Sequence, residues 1–174
     1  MALLVLAYPR LAPTDFEWIQ KIRAQHDERY FHVVAPHFTL VFPVQAMEER
    51  ALIDHLARQI AGAGPIAFVS RCAIVVEDHS KAFSHVFLVP DQGLGDVVKL
   101  HDRLYTGILA PELRLDIPFI PHIGIGNSAD APACKRLADE LNARGFRLEG
   151  RIDALDIVCY ENDHVHTIEQ IPLS

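Results

Sequence analysis

Pro36-His37-Phe38-Thr39-Leu40-Val41-Phe42-Pro43 and, about half the chain later, Pro121-His122-Ile123-Gly124-Ile125-Gly126 are the stretches on which the reading of this sequence turns. Each sets a histidine directly after a proline and ahead of a run rich in apolar residues. Proline is tolerated at the first residue of a strand, where its missing amide costs little, so each histidine is expected early in a strand and on a fixed face. Side chains alternate with period two, which groups His37, Thr39 and Val41 on one face and Phe38, Leu40 and Phe42 on the core face. In the second stretch the same alternation buries Ile123 and Ile125 and leaves His122, Gly124 and Gly126 opposite them.

The surrounding elements repeat in the same order. Leu3 to Tyr8 reads as a short strand, and Thr14-Asp15-Phe16-Glu17 carries a capping-box pattern that predicts a helix over about Asp15 to Glu28. A strand is expected over Val33 to Val44 and a helix from about Met47 to Ile60, with Leu52, Ile53, Leu56 and Ile60 on one face and Gly62, Gly64 and Pro65 at its end. Ile66 to Val76 and His85 to Val89 read as two strands joined by the polar segment Glu77 to Ser84. Val97, Leu100 and Leu104 mark a third helix closed by Gly107.

A strand at about Phe119 to Gly126 and a helix at about Ala131 to Arg144 follow, with Pro132 early in the helix and Gly145 just past its end. The closing strands are expected over Phe146 to Tyr160, bent or broken near Gly150, and Val165 to Pro172. One strand followed by two α-β-α-β-β blocks predicts an α+β fold of duplicated, two-lobed design. Each lobe is a mostly antiparallel sheet with helices outside and a central groove between the lobes, and residues 1–174 form a single domain.

Composition narrows the function. Of the 174 residues 50% are apolar, enough for a sizeable core, and no apolar run approaches the roughly 20 residues that cross a bilayer. The six-residue apolar segment Ala2 to Ala7 has no basic lead and is too short for a signal peptide. Cys72, Cys134 and Cys159 are odd in number and widely spaced, which argues against a disulfide framework and a thiolate metal site and for a reducing, cytoplasmic setting. A formal charge of −7 disfavours long duplex nucleic acid as a partner, leaving a small nucleotide or an RNA end. No membrane partner is expected, and the chain is expected to act as a monomer.

A single histidine in an apolar strand is more often a core residue than a catalyst. Two at equivalent positions of a duplicated fold point to chemistry. In-line attack at phosphorus needs a base on one side and an acid on the other, and imidazole serves both roles near neutral pH. Thr39, two residues after His37 on the same face, is placed to donate a hydrogen bond to a phosphate oxygen.

These motifs resemble the two-histidine (2H) phosphoesterase superfamily, the group that includes the 2′-5′ RNA ligase-like proteins and cyclic nucleotide phosphodiesterases. Pro36 to Pro43 matches its first H-x-T motif, and the likeness extends over nearly the whole chain, including the Leu100-His101-Asp102-Arg103-Leu104-Tyr105 segment similar to bacterial members. The resemblance implies a hydrolase with His37 and His122 as acid and base, Thr39 as phosphate ligand, no metal and no cofactor. It also implies a 2′,3′-cyclic phosphate or 2′-5′ linkage as substrate, in RNA processing. The departure is Gly124, where the family has threonine or serine. A lost donor to a developing anion typically costs about 3 to 4 kcal/mol, so the alternative is a nucleotide- or RNA-end-binding module with weak or no turnover.

Arg10, Tyr30 and Lys81 are within conceivable reach of a nucleotide but read as surface residues. His164 and His166 share one face of the last strand, too few ligands for a metal site. His101 and Asp102 point in different directions on a helix and read as local hydrogen-bonding residues. No phosphate-binding glycine loop and no lysine-centred nucleotidyl-transfer motif is present, so ATP-driven joining has no support.

Overall fold

The computed structural model describes residues 1–78 and 82–174. In chain order these form β1 (Ala2–Ala7), the two-residue β2 (Arg10–Leu11), α1 (Pro13–His26), β3 (Phe38–Val44), α2 (Glu49–Gln59), β4 (Ile66–Asp78), β5 (Phe83–Gln92) and α3 (Leu94–Leu104). A 3-10 turn (Gly107–Glu112), β6 (Ile123–Ser128), α4 (Ala131–Arg144), β7 (Leu148–Ile152), β8 (Ala154–Glu161) and β9 (His164–Pro172) complete the chain. Two antiparallel sheets result, one ordered β3-β1-β8-β9 and the other β2-β7-β4-β5-β6. This is the expected α+β, two-lobed fold. No helix among the described residues is long and apolar enough to cross a membrane.

The lobes do not follow the two halves of the sequence. The β4-β5 hairpin, from the first half, joins β6 of the second, while β8 and β9 join β1 and β3. The helices are exchanged as well. The helix that precedes β3, α1, packs on β6, whereas α3, which precedes β6, packs on β3.

This exchange covers two of the four sheet edges, because β3 and β6 are each terminal in their sheets and would otherwise present unpaired backbone groups. On β3, buried His101 donates from Nδ1 to the Leu40 carbonyl at 2.9 Å, and the Phe42 amide donates to the Tyr105 hydroxyl at 2.9 Å. His101 therefore reaches back by its hydrogen bond to the earlier edge strand, while its ring stacks on Phe119 in the segment leading into β6, centroids 3.5 Å apart. On β6, Asp27 at the end of α1 forms a bridge with Asn127.

Both edge strands carry a bulge three residues after the histidine. On β3, Thr39 pairs with Leu6 and Val41 with Val5, leaving Leu40 as the extra residue; on β6, Gly124 pairs with Phe87 and Gly126 with Val86, leaving Ile125. A bulge flips the faces of everything beyond it. Val41 is consequently buried and Phe42 faces the groove, the reverse of the simple alternation. A Cβ at Gly126 would meet Leu137 and His26 on the helix side, and Asn127 turns to the groove.

Other boundaries moved for local reasons. Thr14 makes no cap; Ala12 precedes a helix started by Pro13, whose fixed φ suits the first turn. The expected strand from Val33 begins only at Phe38, because the backbone after α1 turns repeatedly. The break in the long closing strand falls at Asp153, between strands of different sheets, and not at Gly150. Gly150 sits inside β7, where a Cβ would come within 2.6 Å of the Leu11 and Phe68 side chains. The helix over Ala131–Arg144 is as expected, with Asp130 accepting from the Ala133 amide. In the segment Glu77 to Ser84, the strands extend to Asp78 and from Phe83; Lys81 lies outside the described residues.

Candidate active site

His37 and His122 occupy equivalent places, each following a proline and standing one residue ahead of its strand. Both line one groove of 290 Å³, together with Thr39 and Gly124. The four residues singled out in the sequence are thus brought together, from the starts of the terminal strands of two different sheets.

The two rings are held alike. His37 Nδ1 lies 2.8 Å from the Ala35 carbonyl, and His122 Nδ1 is bonded to the Ile120 carbonyl, in each case two residues upstream. A carbonyl only accepts, so Nδ1 carries the proton in both neutral rings and Nε2 bears the lone pair. Burial pushes both imidazoles down to about 4; nearby Arg23 lowers His37 further while Asp27 opposes it, and His37 and His85 add to the lowering of His122. Near neutral pH the unliganded site therefore holds two neutral imidazoles, each with a basic Nε2.

Rings form one wall. Phe87 stacks face to face on His122 with centroids 3.5 Å apart, His85 stacks on Phe87 at 5.7 Å, and Tyr30 on His85 at 6.4 Å. His85 also lies 3.8 Å from the Asp78 carboxylate. Tyr8 presents an edge contact to His37 at 6.2 Å. At Gly124 an added Cβ would meet none of the described residues within 4 Å.

The floor holds a buried ion pair. Arg23, 2% exposed, pairs with Asp27 at 2.9 Å and donates to the Val34 carbonyl at 2.7 Å, the Tyr30 carbonyl at 3.0 Å and Gln20 at 3.0 Å. Asp27 in turn accepts from the Asn127 side chain and from the Tyr30 amide at 3.0 Å. These partners engage four of the five N–H donors of the guanidinium.

Tyr30 belongs to the groove, whereas Arg10 is on the outer surface paired with Asp153. His164 and His166 are exposed on β9, and among the described residues no three His, Cys, Asp or Glu side chains form a metal-binding group. The sequence reading missed His85, Phe87, Arg23, Asp27 and Asn127. His85 and Phe87 were accessible from alternation, because Val86 and Leu88 between and after them are core residues. Arg23 and Asp27 show the i,i+4 spacing of a helical ion pair, but nothing in one sequence says that this pair is buried.

Comparison with known proteins places these features in context. A family model described as the 2′-5′ RNA ligase superfamily matches residues 11–164. A Geobacillus kaustophilus protein named as a phosphoesterase is 23% identical over 158 residues, spanning 88% of this chain and 85% of its own. A solved structure from Thermus thermophilus superposes with a TM-score of 0.59 at 16% identity, covering 99% of this chain and 98% of that one. Escherichia coli LigT complexed with 3′-AMP superposes with a TM-score of 0.55, also at 16% identity and with 99% and 98% coverage. At such identities the structural likeness establishes a common fold.

Proposed function

The chain belongs to the 2′-5′ RNA ligase superfamily, and on that premise we propose that it is a metal-independent phosphodiesterase acting on a small nucleotide or RNA-end phosphodiester, with His37 and His122 as its acid-base pair. The observation that carries this reading is the matched presentation of the two imidazoles, which enter one groove with Nδ1 pinned two residues upstream and Nε2 unprotonated. A 2′,3′-cyclic phosphate or a 2′-5′ linkage suits the groove, and the 3′-AMP bound to the LigT relative supports a nucleotide-sized ligand. Residues 1–174 act as one unit, because the groove takes side chains from both sheets, and the protein works as a monomer in the cytoplasm.

For a cyclic phosphate the step runs as follows. One neutral histidine takes a proton from water through Nε2 as the water oxygen bonds to phosphorus. The opposite P–O ester bond breaks, and the second histidine, protonated, gives its proton to the departing ribose oxygen. One water is consumed, a phosphomonoester forms, and solvent exchange resets the protons. The free site lacks that second proton near pH 7, so the substrate anion must favour its uptake by attracting the imidazolium. Thr39 donates its hydroxyl to a non-bridging oxygen.

The open space at Gly124 favours a second reading, a nucleotide-binding module of the same fold in which the missing donor leaves turnover slow. A panel of 2′,3′-cyclic nucleotides and 2′-5′ dinucleotides, with product identification and parallel binding measurements, separates the two. Release of a phosphomonoester or mononucleotide supports hydrolysis; saturable binding with no product supports the module and sinks the enzyme.

A further inference from the structure

We propose that the buried Arg23, Asp27 and Asn127 side chains are the positioning device of this site, tying the segment that carries His37 to the strand that carries His122 and so setting how the two imidazoles face each other. The inference rests on the functional reading above and assigns it residues outside the histidine motifs.

The geometry supplies a continuous chain of contacts. His37 ends the turning segment that follows α1. Arg23 holds that segment at two points through the Tyr30 and Val34 carbonyls, the second only one residue before Ala35, whose carbonyl orients His37. Asp27 fixes the guanidinium from one side and the Tyr30 amide from the other. It also accepts from the side-chain amide of Asn127, five residues after His122 on β6, and Asn127 closes the network by accepting from the Arg29 amide at 3.2 Å. All three side chains are buried.

A structural ion pair elsewhere in the core would serve stability alone. This one links the segment that leads to His37 with the strand that follows His122, beside a groove lined from both sheets. Hydrogen-bonded buried networks of this kind hold one geometry, because any displacement leaves a buried charge without its partner. The titratable and charged groups about His37 include Tyr8 just after β1, Arg23 from α1, Asp27 at its C-terminal cap, and His122, Tyr30 and His85 of the same groove. The cation and the carboxylate of the pair act on the His37 proton in opposite senses.

Asn127→Ala removes the side-chain tie to β6 while leaving the Arg23–Asp27 pair and the backbone bridge from Asp27 to β6 in place. In hydrolysis of a 2′,3′-cyclic nucleotide, its kcat is expected to fall about 10- to 100-fold with KM within a few-fold of wild type, the signature of misplaced reacting groups. Arg23→Met and Asp27→Asn break the same pair, yet the His37 imidazole, followed by NMR titration without substrate, should titrate at higher pH in the first and at lower pH in the second. Wild-type kcat in Asn127→Ala together with unshifted His37 titration in the other two overturns the proposal. If Arg23→Met and Asp27→Asn do not fold, as far-UV circular dichroism would report, the kcat and KM of Asn127→Ala decide. Should the wild-type protein release no product, the functional reading fails, and the substrate-free titrations decide the positioning role by themselves.

Discussion

Two imidazoles that stay neutral down to about pH 4 impose a pH dependence on both folding and turnover. In the unfolded chain each ring takes its proton near 6.5, so on acidification from about 6.5 to 4 the unfolded state binds protons that the folded state refuses. Stability is unaffected by these rings above that window and falls as the pH drops through it, by up to roughly 1.4 kcal/mol per pH unit for each ring. Urea unfolding at pH 7.5, 5.5 and 4.5 measures it, and His37→Ala should flatten the decline. For catalysis, kcat/KM reports the free protein and should decline with rising pH above about 4, where the singly protonated pair becomes scarce. The kcat profile should lie at higher pH, because bound phosphate favours the imidazolium. At Gly124 an added Cβ meets no atom of the described residues within 4 Å, so Gly124→Ser or Gly124→Thr can be accommodated. Either substitution should raise turnover of a cyclic phosphate about 100- to 1000-fold if it fully restores the donor; an unchanged or lower rate would remove the missing-donor explanation.

The terminal strands β3 and β6 depend on helices borrowed across the fold, and that dependence is measurable. Tyr105→Phe strips the Phe42 amide of its acceptor at the edge of β3 and should destabilise the protein by about 1 to 3 kcal/mol in urea unfolding, with little change in the groove itself. The same elements show what one sequence discloses. The two histidine strands and the helix Ala131–Arg144 were legible, because proline, alternation and caps are local signals. The bulges at Leu40 and Ile125 were not, since a bulge is a property of pairing with β1 and β5, and so Val41 and Phe42 were assigned to the wrong faces. His101 was read as a local hydrogen-bonding residue for the same reason: its partner, the Leu40 carbonyl, is distant in sequence.

Taken together, the exchange of strands and helices between sheets explains why the two halves of the sequence read as repeats while neither half forms a lobe alone. Each half supplies one histidine to the groove and the helix that covers the other half's edge strand, so the two histidines meet only when both have folded. The chemistry assigned to it needs no metal, and dialysis against EDTA should leave hydrolysis unchanged; loss of activity restored by a divalent ion would point to a different mechanism. The most decisive measurement is the kcat/KM for a 2′,3′-cyclic nucleotide of the wild-type protein beside His37→Ala and His122→Ala, each shown to be folded. An acid-base pair predicts a loss of about a hundred- to ten-thousand-fold in each variant. Wild-type rates in either one would contradict it.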